Sequence, residues 1–289
     1  MEHIHIKKEK LGYLMFEKNF KWSKVPTIGL LFWLTKLVST GQGESISDWS
    51  TKLFGLQNIV IGAAFTVVWS FSLFAVFLYL QLRSEKYRPF FYWMSVALLA
   101  IFGTVLADGL TAVFGLSHMI TSIIFGALML LSFYLWHHTT GSLSIHNIKN
   151  IKSELFYWIT VMFSFALGTA VGDWFAYGKT LDPYGFGLGL LNTGLLLGAI
   201  FVLIIAYRII VKPAENSFSE ILTFWLAYIL TRPVGASFAD YFGYDWKSGS
   251  LGNRGMSVIW LMIFIVLMAI TFIRYSKSKS EILSVSHEL

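Results

Sequence analysis

Eight stretches of about twenty predominantly apolar residues begin near residues 26, 57, 90, 117, 154, 186, 219 and 256 and take up most of this chain. A helix rises 1.5 Å per residue, so each stretch is long enough to cross a hydrocarbon core of ~30 Å. Inside that core a segment must satisfy its own backbone N–H and C=O groups, which leaves the α-helix as the form such runs adopt. The sequence therefore predicts an all-α fold, a polytopic membrane helix bundle of about eight transmembrane helices.

Hydrophobic residues make up 56% of the 289 positions and charged residues 13%, a balance that excludes a soluble domain of this length. There is no cysteine, which removes disulfides and thiolate metal sites. The net charge of +6 is carried by short segments flanking the apolar runs, so membrane topology accounts for it and no nucleic-acid partner is expected. Sixteen Lys and Arg fall in the N-terminus, the even-numbered connections and the C-terminus, four in the odd-numbered connections, and two inside spans. That bias predicts cytoplasmic N- and C-termini and tight extracytoplasmic turns after the odd-numbered spans. Residues 1–24 read as a basic cytoplasmic segment without a signal peptide. Within it, Leu11 to Trp22 is either an amphipathic surface helix or a solvated tail. Residues 25–275 form the transmembrane domain, and 276–289 a cytoplasmic tail.

The odd-numbered spans share a pattern: an aromatic-Trp pair, Gly ten positions after the Trp, and Asp five positions after that Gly. Its members are Phe32-Trp33, Gly43 and Asp48; Tyr92-Trp93, Gly103 and Asp108; Tyr157-Trp158, Gly168 and Asp173; and Phe224-Trp225, Gly235 and Asp240. The chain thus divides into four parallel helix-hairpin repeats, approximately 25–83, 88–140, 153–211 and 218–275, each entering the membrane in the same direction. Fifteen residues of helix separate Trp from Asp by ~22 Å, with the Trp at the inner interface and the Asp in the outer half.

An aspartate costs roughly 2.5–3.5 kcal/mol at the centre of a span, so four at matched positions point to a site. Four residues before Asp, on the same helix face, stand Glu44, Thr104 and Thr169; the fourth repeat has Ala236 there, with Ser237 nearby. Carboxylate and hydroxyl oxygens without sulfur are the ligands of a hard cation such as magnesium, manganese or calcium, and also suit sodium or protons. Glu44, Asp48, Asp108, Asp173 and Asp240 are the candidate metal ligands, joined by Thr104 and Thr169. The repeat glycines either pack helices closely or break them, and Gly41-Gln42-Gly43 before Glu44 is where an unwound segment is expected.

Lys36 and Arg232, the two basic residues inside spans, are candidates for charge pairing or gating beside the acids; structural neutralisation is the alternative. Pro233 is expected to bend span seven. Gly185, Gly187 and Gly189 before Asn192, and Gly249, Gly252 and Gly255 before Ser257, open membrane helices and are no dinucleotide fingerprint. Asn192 is a possible additional ligand. His137 and His138, like His3 and His5, read as surface residues. Trp49, Trp174 and Tyr241 follow three of the aspartates, where an aromatic face suits an organic cation.

The segments Gly43-Glu44-Ser45-Ile46-Ser47-Asp48 and Gly168-Thr169-Ala170-Val171-Gly172-Asp173 resemble those of a family of bacterial multi-pass proteins described as uncharacterised membrane-anchored proteins. The resemblance spans nearly the whole chain and implies a location in the bacterial inner (plasma) membrane. A looser similarity, to cation exporters with acidic Gly-Asp repeats, is carried by Gly172-Asp173 alone, the other three repeats departing from that pair.

The function these residues lead to is secondary transport or export of a small cation, with a divalent metal such as manganese or magnesium as the leading substrate. The alternatives are an organic-cation transporter for a polyamine or drug, and a non-transporting structural membrane protein. No enzyme is expected, since no nucleophile and base can be read onto facing spans. No cofactor is expected either. The expected partners are the lipid bilayer and the cation, and a homo-oligomer stays open.

Overall fold

The computed structural model describes residues 24–56, 58–245 and 251–287. The expected amphipathic stretch Leu11 to Trp22, His3, His5 and Gly249 lie outside the described residues. Eight long helices follow one another: α1 (Leu30–Gly55), α2 (Ile59–Arg83), α3 (Pro89–Ala112), α4 (His118–Thr140), α5 (Ile151–Ala176), α6 (Leu190–Val211), α7 (Phe218–Asp240) and α8 (Gly252–His287). Short-range chemistry sets several starts. Asn58, Ser117, Asn150 and Ser217 each accept hydrogen bonds from the first free N–H groups of the helix they precede. Pro89 opens α3, where a missing N–H costs nothing. Every observed start lies within a few residues of the expected one, while α8 continues past residue 275 to His287.

Seven helices, α2 to α8, are long and apolar enough to cross a membrane. The exception is α1, which carries Lys36, Gln42, Glu44, Asp48 and Lys52 besides a run of serines and threonines. It is sheltered by α2, α3, α7 and α8, so its polar face meets protein. The outer helices expose large apolar side chains such as Ile123, Val202, Leu203 and Met262. This is a multi-pass membrane protein with an apolar belt toward the bilayer.

The helices form two concentric layers. In the inner ring α1 packs on α3, α3 on α5, α5 on α7, and α7 on α1. Helices α2, α4, α6 and α8 lie outside. The sequence repeat and the packed unit are not the same pair: α3 and α4 touch little, as do α5 and α6. Each outer helix instead lies mainly against the inner helix of the next repeat, α2 on α3, α4 on α5, α6 on α7 and α8 on α1, although α1 and α2 also pack well. Each repeat leaves an apolar groove that its successor fills, and the last helix covers the first.

The repeat residues build this ring. A Cβ added to Gly43 would sit 2.5 Å from Ala100 Cβ on α3; one on Gly103 would sit 2.7 Å from Phe165 Cβ on α5; one on Gly168 would sit 2.5 Å from Arg232 Cβ on α7. Gly235 meets Thr40 of α1 in the same way. Each repeat glycine therefore receives the residue three before the next repeat's glycine, and the fourth contact closes on the first. Helices approach this closely only where a side chain is missing, which settles the role of these glycines as packing. α1 runs unbroken through Gly41-Gln42-Gly43, with Gly41 covered by the Trp260 ring. α7 likewise continues through Pro233, whose ring lies against Gly168 and Gly172.

The aromatic pairs repeat the logic. Phe32 packs on Trp93 with ring centroids 5.6 Å apart, Tyr92 on Trp158 at 5.3 Å, Tyr157 on Trp225 at 6.0 Å, and Phe224 on Trp33 at 5.7 Å. All eight rings are buried and close one end of the ring, called here the Trp end. The Tyr92 and Tyr157 hydroxyls meet at 2.6 Å within it. Lys24 ties the chain down at this end: its Nζ lies 2.7 Å from Glu154 Oε2 and donates to Leu82 O, while Gln81 donates to Glu154 and to Lys24 O. At the Asp end the expected tight turn holds for 113–117, and only three residues separate α1 from α2, but 177–189 is longer, and eleven residues separate α7 from α8, beginning with a π-helical turn Tyr241–Asp245.

Candidate functional site

Above the aromatic layer the four repeats stop being equivalent. Lys36 of α1, only 1% exposed, places its Nζ 3.6 Å from the centroid of the Phe165 ring and 4.2 Å from that of Tyr228. Two ring faces stabilise its ammonium by cation–π attraction, and it forms no carboxylate pair among the described residues. One level further, Arg232 reaches across from α7. Its guanidinium donates to Glu44 Oε2 at 2.5 Å, to Thr40 O at 2.7 Å, to Thr169 Oγ1 at 3.1 Å and to Thr104 Oγ1. Arg232 and Glu44 are 1% and 3% exposed, so this is a buried, well-donated ion pair joining the first and fourth repeats.

The three oxygen-bearing residues preceding the aspartates thus converge on one guanidinium. That explains the missing oxygen in the fourth repeat: α7 contributes the donor, and Ala236 needs no acceptor. Thr104 also donates to Ala100 O and lies 3.4 Å from Glu44 Oε2, while Thr169 donates to Phe165 O.

At the Asp end, Glu44, Asp48 and Asp108 come together, each offering a carboxylate oxygen within 4.8 Å of the other two. Asp240, buried, lies in electrostatic range of Glu44, Asp48, Asp173 and Asp108. Asp173 turns toward His118, whose Nε2 is 3.8 Å from its carboxylate. The structure therefore draws three of the five candidate acids into one cluster and sets the other two beside it. Asp48 accepts from Asn253 at 2.8 Å and lies 3.9 Å from Lys52 Nζ.

Asn192 has a different place: its amide is exposed and donates to Leu188 O, in the loop just before its helix. The amide that does reach the acids is Asn253 of α8. His118 and Asp182 are also new. Asp182, 1% exposed, accepts from the His118 backbone N–H, and its Oδ2 lies 2.6 Å from His118 Nδ1; its other oxygen accepts from Tyr184 N–H. Burial opposes the Asp182 charge, but the Tyr184 and His118 donors outweigh it and hold the carboxyl below its usual range. Trp174 is occupied by the same loop, its indole N–H donating to Tyr184 O. His137 and His138 are exposed in the last turn of α4.

The four sequence repeats coincide with four matches to the family model described as Repeat of Unknown Function (DUF347), at residues 31–87, 91–142, 156–213 and 223–278. The chain belongs to this family. No curated protein and no solved structure matches it. Each DUF347 repeat supplies one inner helix carrying an aromatic-Trp pair, a packing glycine and an aspartate, and one outer helix. The three charged residues that break the repeat between the aromatic layer and the aspartates, Lys36, Glu44 and Arg232, lie on the two inner helices that close the ring.

Beside the acids, α1, α2 and α3 enclose a cavity of about 320 Å³ lined by Asp48, Lys52, Ile59, Ala63, Val105 and Asp108 among others. It opens where Lys52, Asn58, Ile59 and Ala112 are exposed.

Proposed function

We propose that this DUF347 protein is a secondary transporter or exporter of a small cation, with a divalent metal such as manganese or magnesium as substrate, in the bacterial inner membrane with both termini cytoplasmic. The observation that carries the reading is the convergence of Glu44, Asp48 and Asp108, whose carboxylate oxygens lie within 4.8 Å of one another. Three oxygens at that spacing need only a small contraction to take up a cation with metal–oxygen distances of ~2.0–2.6 Å, with water completing the shell.

Arg232 gives the site a second state. It satisfies Glu44 at 2.5 Å, so a cation drawing Glu44 toward Asp48 and Asp108 competes with the guanidinium for the same carboxylate. Arg232 retains Thr40 O, Thr104 and Thr169 as partners, which lowers the cost of releasing it. The aromatic layer at the Trp end closes the path on that side, so passage requires its rearrangement. In the proposed orientation this end faces the cytoplasm and the acids face outward.

The test is manganese flux into proteoliposomes, with magnesium, calcium and zinc as competitors, for the parent protein and for Asp48→Asn and Asp108→Asn. Both variants should remain folded and lose at least tenfold in flux, since each removes one of three anionic ligands. Undiminished flux in both would refute the site. Absence of flux for every cation, with both variants destabilised, would favour the structural role.

A further inference from the structure

The cavity between α1, α2 and α3 has a chemistry a bare metal ion does not use. Ile59, Ala63, Val105, Ala112 and Val113 give it apolar walls, and Asp48 and Asp108 stand at one side. Its volume of about 320 Å³ is in the range of small-molecule pockets and far exceeds what a single ion occupies. The Asp108 carboxylate forms no hydrogen bond or ion pair among the described residues.

The chain also displays the kind of group this place accepts. Lys52 lines the cavity, and its ammonium stands 3.9 Å from Asp48 Oδ2 and 4.6 Å from the centroid of the Tyr244 ring. That is an aliphatic stem ending in an ammonium between a carboxylate and an aromatic face, the combination that recognises organic amines. Lys52 is 62% exposed, so it occupies the rim and leaves the interior beside Asp108 open.

We infer that this cavity is a binding site for an amphipathic organic ammonium, whose hydrocarbon part lies against Ile59, Ala63 and Val105 and whose charge meets Asp108. The inference rests on the cation-transport reading and adds a second ligand class to it: the amine and the metal share Asp108 and therefore compete. The ligand is a primary amine with a chain of several carbons, which enters charge first from the exposed rim at Ile59 and Ala112.

The experiment uses the whole protein in lipid nanodiscs, with hexylammonium and manganese as calorimetric probes and ammonium and hexanol as controls that each lack half of the ligand. Hexylammonium should bind, each control should bind at least tenfold more weakly, and saturating manganese should displace the amine. Ala63→Phe fills the cavity without touching a carboxylate and should weaken the amine at least tenfold while leaving manganese binding unchanged. Ile59→Ser, at a position 53% exposed and so harmless to the fold, should weaken it roughly threefold, about the worth of one methylene contact. Manganese binding without hexylammonium binding, or amine binding indifferent to both substitutions, overturns this inference and leaves the metal site standing. Binding of neither cation overturns both.

Discussion

The two ends of the inner ring are made from the same four repeats and differ in almost every physical respect. At the Trp end the repeats supply equivalent residues, and these pack as equals: each aromatic leans on the next repeat's Trp, and the ring closes without a seam. Between that layer and the aspartates three buried positions, Lys36, Glu44 and Arg232, carry charges that the other repeats lack, and all three lie on the inner helices of the first and last repeats. Symmetric burial builds a closed and apolar wall. Broken symmetry gives one quadrant a cation, another an anion, and leaves carboxylates without matched partners. In a repeat protein of this kind the equivalent positions account for the fold, and the non-equivalent ones are where a function would be sought.

The largest test of that contrast is Arg232→Met. It strands the buried Glu44 carboxylate and removes the donor serving Thr40 O, so it should cost about 3–5 kcal/mol, measured by thermal or denaturant unfolding in detergent. Adding Glu44→Leu should recover much of the loss, because the penalty comes from the unpaired charge. If Arg232→Met left the midpoint unchanged, the asymmetric layer would have no structural weight.

Next in size are the ring contacts. Gly168→Leu pushes a side chain into Arg232 and Pro233 and should cost about 1–3 kcal/mol, whereas Gly109→Ala, with nothing within 4 Å of the added carbon, should not destabilise. Equal effects of the two would undo the close-packing account. At the symmetric end, Tyr92→Phe deletes only the 2.6 Å hydroxyl contact with Tyr157 and should cost about 0.5–1.5 kcal/mol by the same unfolding measurement.

The smallest effects are of pH, and they run in opposite directions at the two ends. Asp182 is held below the usual carboxyl range, so its contribution is complete above its unfolded pKa of ~3.9 and is lost as pH falls through the lower folded value. Amide exchange in 177–189, corrected for intrinsic rates, should accelerate only in that acidic window. At the other end, the Glu220 carboxylate 3.6 Å from His146 Nε2 raises His146 above its ordinary value, with partial burial opposing it. Its contribution is complete below an unfolded pKa of ~6.5 and fades as pH rises through the higher folded one. Exchange in 141–150 should therefore rise on the alkaline side, and His146→Ala should abolish that dependence.

The sequence by itself determined the helices, their number and nearly their limits, because apolar length and local caps such as Asn58 and Ser117 act within a few residues. It also determined the fourfold motif, since equal spacing on equivalent helices brings Trp, Gly and Asp to matching levels. What only the tertiary structure decided is which helices touch and which charges meet. Arg232 is far from Glu44 along the chain, and no periodicity says that the fourth repeat closes on the first. Thr104 and Thr169 read as cation ligands because they share a helix face with aspartates, yet they bond a guanidinium arriving from another helix. Asn253 and His118 carry no motif, and their distances to Asp48 and Asp173 arise from loops and from the covering of α1 by α8. Helical periodicity fixes the direction of a side chain about its own axis, while the partner it meets depends on the placement of other axes, which long-range packing sets.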